Sequence, residues 1–201
     1  MRFATRLGLV ALAVAEAVSA RAVVLVEGIS DRLAVEALAD RRGLDLAAER
    51  VSVFAMGGAQ AIGGALTRFG PAGLGLRLAG LCDAGEERWF RRALERAGPG
   101  ANLTRHDMER LGFFVCVVNL EDELIRALGE AAVLRVIDEQ RELGAFRTYQ
   151  KQPAHRERTL EEQLWGFMWN RKIRYAPLLV GALDPARVPR PLDGVLTHVR
   201  Q

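Results

Sequence analysis

The sequence predicts an α/β fold, a parallel sheet of about four strands flanked by helices and followed by a helical extension. Three observations predict it. Short apolar runs alternate with amphipathic stretches along the first two-thirds of the chain. The runs are continuously apolar rather than alternating, as strands buried on both faces are. A glycine or a polar residue follows each run, on the edge where such sheets bind ligands.

Taken in order, Ala22 to Val26 is the first strand. Gly28-Ile29-Ser30 turns the chain, and Ser30 or Asp31 is placed to cap a helix reaching about Arg42, striped by Leu33, Ala34, Ala37 and Leu38. Val51 to Ala55 is a second strand, followed by Gly57-Gly58 and a helix from about Ala59 to Phe69. Arg77 to Cys82 is a third strand, Glu86 to Ala97 a helix, and Phe113 to Val118 a fourth strand. Beyond Leu120 the pattern is helical over Glu121–Leu128, Ala131–Leu143, Leu160–Asn170 and around Tyr175–Leu183, with a basic loop over Thr148–Arg158. Pro185, Pro189 and Pro191 predict an extended surface tail from Asp184 to Gly194. The expected division is an N-terminal helix over 1–20, a core over 21–130, and a helical extension with its proline-containing tail over 131–201.

Composition narrows the function classes. Of 201 residues, 50% are hydrophobic and 26% charged, an ordinary balance that can form a core. The net charge of +3 is compatible with an anionic partner without requiring one. Cys82 and Cys116, the only cysteines, sit in apolar runs and read as buried thiols, with no disulfide framework and no Cys/His spacing for zinc. His106, His155 and His198 stand apart and read as solvated. Arg2, Arg6, the apolar run Leu7–Ala15 and Val18-Ser19-Ala20 imitate a secretory signal. Glu16 interrupts that run and strand sequence begins at Ala22, so a packed helix and a cytoplasmic protein are expected. The run is too short to span a bilayer. No GxxxxGK[ST] pattern is present in the sequence, so no ATPase of its own is visible.

The chemistry sits in carboxylates. Glu27 and Asp31 are four apart across a strand-to-helix turn, and Asp83 joins them if the first and third strands are neighbours. Carboxylates gathered at one edge repel unless a cation neutralises them, and hard Mg²⁺ or Mn²⁺ prefers oxygen ligands. The alternative is that Asp31 caps a helix and Glu27 is solvated; spacing leaves both open. Gly57-Gly58 could let a backbone approach phosphate, though a tight strand-to-helix turn is the better explanation of a lone glycine pair. In the stretch from Trp165 to Tyr175, aromatics two apart do not share a helix face, so part of it is core. Arg171 or Lys172 is the better candidate there for contacting phosphate.

The run VLVEGISD, from Val24 to Asp31, resembles the opening motif of Toprim domains, and most closely the Toprim part of OLD (overcoming lysogenization defect) family ATP-dependent endonucleases and their stand-alone relatives. The resemblance spans about Ala22 to Leu183. It implies a Toprim/Rossmann-like sheet and Mg²⁺- or Mn²⁺-dependent hydrolysis of phosphodiester bonds in DNA, with one or two ions bound. Glu27 matches the glutamate that serves as metal ligand or acid-base group, Asp31 the acidic position after it, and Asp83 the first aspartate of an acidic pair. The second member of that pair falls on Gly85, with Glu86 one residue further on. Asn119 and Glu121 match the positions that complete a second metal site, and Lys172 a lysine that stabilises transition-state charge. DNA is the expected partner, with a separate ATPase partner and a homodimer left open and no membrane. The competing expectation, raised by Gly85, is a catalytically degenerate module that binds nucleic acid or an ATPase partner.

Overall fold

The computed structural model describes residues 19–98 and 100–201. The expected N-terminal helix and its signal-like alternative lie outside the described residues, save for Ser19 and Ala20.

In chain order the elements are β1 (Ala22–Val26), α1 (Ile29–Arg41), β2 (Val51–Ala55), α2 (Ile62–Phe69), β3 (Arg77–Cys82), α3 (Glu87–Ala97), α4 (Arg105–Arg110) and β4 (Phe113–Val115). There follow α5 (Leu120–Leu128), α6 (Glu130–Glu139), α7 (Leu143–Gln150), α8 (Leu160–Met168), α9 (Lys172–Ala182) and α10 (Arg190–Arg200). The four strands form one parallel sheet in the order β2-β1-β3-β4, with Val24 opposite both Val53 and Ala79. Every β1 residue is buried because both faces are covered. Ala22, Val24 and Val26 join a core with α1, α5, α9 and α10, while Val23 and Leu25 join a second core with α2 and α3. Both cysteines are buried and unpaired, and burial pushes their thiols up.

Four local expectations need correction. β4 ends at Val115: Cys116 makes the last rung to the Cys82 carbonyl of β3 (2.9 Å), after which Val117 donates to Glu123 Oε1 (2.8 Å) and the Val118 carbonyl accepts from Ala84 (3.1 Å). Helix α7 begins inside the predicted Ala131–Leu143 helix, which breaks at Arg141 with φ +59°, and covers part of the expected loop. The imidazoles of His155 and His198 are half-buried, His155 stacking on Tyr149 at 3.9 Å. The proline-rich tail is helical from Arg190, not extended. Pro189 is the N-cap and Pro191 lies in the first turn, where the missing N–H has no helical partner to lose. From there Leu192, Val195, Leu196 and Val199 recur at helical spacing and are fully buried under the sheet. A Cβ at Gly194 would come within 2.3 Å of the Phe114 ring, so only glycine permits this close approach to β4.

The division at residue 130 therefore does not separate two packing units. Leu179, Val180 and Leu196 share one apolar cluster with Val24 and Val26. Leu196→Ala is expected to lose about 2–5 kcal/mol in a urea melt, the usual cost of truncating a buried leucine. A surface tail would lose less than about 0.5 kcal/mol.

Candidate metal and phosphate site

All of the candidate carboxylates lie at the carboxyl ends of the strands, and backbone pairing explains how Glu27 is set among them. Glu27 follows the central strand β1. Its carbonyl accepts from Gly57 N–H (2.9 Å) and Gly58 N–H (3.1 Å), and its Oε1 accepts from Asp83 N–H (3.2 Å). One residue thus ties together the ends of β1, β2 and β3. Gly57 and Gly58 hold φ of +80° and +136°, which excludes most other residues. Their N–H groups face Glu27, so the expected cradle for phosphate is not formed; the pair is a tight turn.

Asp31 is the third residue of α1, whose N-cap is Gly28 rather than Ser30 or Asp31. Its Oδ2 accepts from Gly28 N–H at 2.8 Å, so it steadies the turn and faces the cluster at once. Asp83 caps the short turn Ala84–Glu86 that leads into α3. Glu86 and Glu27 line a groove of about 450 Å³ together with Gly57 through Ala61. Gly85 is exposed, and a Cβ there would meet nothing within 4 Å.

On the far side, Glu121 is 4% exposed and pairs with Lys172 Nζ at 3.0 Å. Lys172 also sits 4.2 Å from the centre of the Trp169 ring, which shields its charge from one side. Asn119 is the N-cap of α5: its Oδ1 accepts from Asp122 N–H (2.9 Å) and from Trp165 Nε1 (3.3 Å). Both bonds engage the Asn119 oxygen, so in this structure Asn119 serves as the cap of α5. Arg171 also departs from expectation. It donates to the Phe167 carbonyl (2.9 Å), lies over the Phe167 ring and pairs with Glu142 (3.4 Å), away from the carboxylates. Asp122 and Glu123 pair with Arg126 within α5. The support given by Trp165 and Trp169 was missed, although their spacing of four residues places them on one helical face, and their rings lie 4.9 Å apart.

The electrostatics show one coupled group. Burial pushes Asp83 up to about 7, and the neighbouring Glu27, Asp31 and Glu121 push the same way while Lys172 opposes them. Burial raises Asp31 to about 6; the Gly28 N–H bond opposes this, Glu121 adds to it and Lys172 offsets part. Glu27 is also raised, first by burial, against the Asp83 N–H bond and with Asp31 and Glu86 adding. Lys172 alone does not neutralise this set. The donors fit a hard divalent cation by chemistry: all are oxygens, they carry excess negative charge, and Glu27, Asp31 and Glu121 each commit only one carboxylate oxygen to a protein partner outside their own residue. Among the described residues no three His, Cys, Asp or Glu side chains converge on one point, so gripping an ion requires side-chain rotation. A cavity of about 780 Å³ beside β2, lined around Asp40 to Val53, holds none of these carboxylates.

Residues 20–84 match the family model for the overcoming lysogenization defect protein-like TOPRIM domain. No curated protein matches the chain. The C-terminal region of the OLD protein of Xanthomonas campestris pv. campestris is similar in structure, with a TM-score of 0.68 and 25% identity over 90% of this chain and 92% of that one. The C-terminal region of the Burkholderia pseudomallei OLD protein shares the fold, with a TM-score of 0.69 at 21% identity over 90% of this chain and 97% of its own. Among the described residues no helix is long and apolar enough to cross a membrane. Residues 20–84 thus match the OLD-like TOPRIM family model, and across nine-tenths of its length the chain carries the fold of an OLD C-terminal region.

Proposed function

We propose that this protein hydrolyses phosphodiester bonds in DNA with the help of a divalent cation. The observation that carries the reading is the coupled group of Glu27, Asp31, Asp83 and Glu121 at the carboxyl edge, with Lys172 reaching into it from α9. Bound Mg²⁺ or Mn²⁺ would supply an activated water and neutralise charge on the phosphoryl oxygens. Glu27, Asp31 and Asp83 are the residues to hold it, with Glu86 and Glu121 at the two flanks. Glu27 Oε1 accepts from the Asp83 N–H, which leaves the other carboxylate oxygen for ligand or proton. Lys172 is held by Glu121 and Trp169, and its ammonium stands ready to offset charge that builds on the phosphoryl group.

The test is direct. Purified protein with Mn²⁺ or Mg²⁺ is expected to cleave plasmid or linear DNA and to lose the activity in EDTA. Intact DNA under all of these conditions would leave the second reading, a module that binds without cutting. Gly85 favours that second reading, since the acidic pair lacks its second side chain. Gly85→Asp has open space for its side chain and is expected to tighten Mn²⁺ binding about tenfold or more in calorimetry and to add stoichiometry toward two ions. Unchanged affinity and stoichiometry would show that position 85 does not face the ion.

A further inference from the structure

Helix α3 carries a surface that the carboxylate site does not use. Its sequence, ERWFRRALERA, has two acids, and both are committed. Glu87 pairs with Arg91 and with Arg105, and Glu95 Oε1 accepts from Leu103 N–H at 3.1 Å. Arg88, Arg92 and Arg96 are then left at successive four-residue steps on one exposed face, and none forms an ion pair among the described residues. Like charges four apart destabilise a helix, so this stripe is unfavourable for α3 taken by itself.

Its position suggests what offsets that cost. α3 begins directly after Glu86, which lines the groove containing Glu27. Gly57 through Ala61, which line the same groove, run directly into α2, which packs beside α3. A Cβ on Gly63 of α2 would lie 3.8 Å from an Arg96 guanidinium nitrogen, and one on Gly64 would meet nothing. Gly63 and Gly64 therefore leave the start of α2 bare of side chains, with the Arg96 guanidinium of α3 beside it. The valley between the two helices opens at its near end on Glu27. The stripe is about 12 Å long at 1.5 Å per residue, enough for two or three consecutive phosphates.

We infer that the valley between α2 and α3 is the track for a DNA strand, whose phosphates Arg88, Arg92 and Arg96 hold as the strand enters the carboxylate site. This deepens the proposed function and rests on it for the identity of the strand. Guanidinium groups on exposed stems bind phosphate independently of base sequence, so binding along the track is salt-dependent and tolerant of sequence.

The test uses the full chain and a fluorescein-labelled 30-mer, single-stranded and duplex, read by anisotropy in EDTA across a salt series. Replacing Arg88, Arg92 and Arg96 together by alanine is expected to weaken binding about tenfold or more at low salt. The slope of log affinity against log salt should fall by about two on the single strand and nearly three on the duplex, roughly 0.7 and 0.9 per lost phosphate contact. Because the three side chains are exposed and their like charges oppose the helix, the melting temperature should stay unchanged or rise slightly. A control of equal charge, Arg147, Arg156 and Arg158 replaced by alanine, should change affinity less than threefold. Equal losses in both triples, an unchanged slope in the α3 triple, or no DNA binding by the unaltered protein would each overturn the track. If the unaltered protein binds and the α3 triple does not, the track stands even where no cleavage is seen, so its failure and that of hydrolysis are told apart.

Discussion

Glu27→Gln is expected to lower DNA cleavage by on the order of 10³-fold while leaving the fold intact, because it removes charge and basicity from the carboxylate at the end of the central strand β1, beside the Asp83 N–H. The amide oxygen can still accept from Asp83 N–H, and the backbone bonds from Gly57 and Gly58 to the residue 27 carbonyl do not depend on the side chain. Stability should therefore hold or rise slightly, since one member of a repelling cluster is gone. Glu27→Ala should give the same loss of activity with a small loss of stability from the unpaired Asp83 N–H. Single-turnover cleavage and thermal melting on the same samples separate the two effects. Retention of activity within about threefold in Glu27→Gln would remove Glu27 from the chemistry and with it the proposed mechanism. Binding of the labelled 30-mer in EDTA should be unaffected, which distinguishes a catalytic loss from a lost track.

The metal-free protein is expected to be more stable at pH 5 than at pH 8, by on the order of 3 kcal/mol. Asp83, raised to about 7, and Asp31, raised to about 6, both hold protons more tightly folded than unfolded. For such groups the folded state is penalised fully once pH exceeds the folded values, and the penalty fades as pH falls toward the ordinary carboxylate range near 3.8. The window of change is accordingly about pH 4 to 7, with stability rising as pH drops through it. Mn²⁺ should reverse the trend, because a bound cation offsets the repulsion that a proton relieves at lower pH. The gain in melting temperature on adding Mn²⁺ should be large at pH 8 and small at pH 5. A flat pH profile in EDTA, or an equal gain at both pH values, would mean that the carboxylates are not coupled as the structure places them. Asp83→Asn should remove much of the pH dependence while keeping the turn into α3.

Much of this molecule follows from local sequence. Continuous apolar runs at Ala22–Val26, Val51–Ala55 and Arg77–Cys82 became the strands within a residue of expectation, because a strand covered on both faces has no polar side to encode. Glu27, Asp31 and Asp83 were legible for a related reason: in a parallel sheet the residue after each strand lands on one edge whatever the helices between do. The resemblance carried by VLVEGISD pointed to the same residues, and the family match over 20–84 contains all three.

Other features depend on which partners arrive in three dimensions. The helix after Pro189 was read as extended because proline opposes helix interiors, yet its two prolines sit at the start and its apolar face meets β3 and β4. Asn119 resembled a ligand position, and became a cap once Trp165, distant in sequence, supplied a second donor. Arg171 and Lys172 are neighbours with the same charge, but the turn before α9 sends one to Glu142 and the other to Glu121. Gly57 and Gly58 looked ready for phosphate until the Glu27 carbonyl claimed both N–H groups. Sequence by itself determined the sheet and the carboxylates at its edge, since both follow from periodicity and connection order along the chain. The tertiary structure decided which polar atoms remain available to a ligand, because each hydrogen bond is settled by competition among groups that meet only when the helices pack.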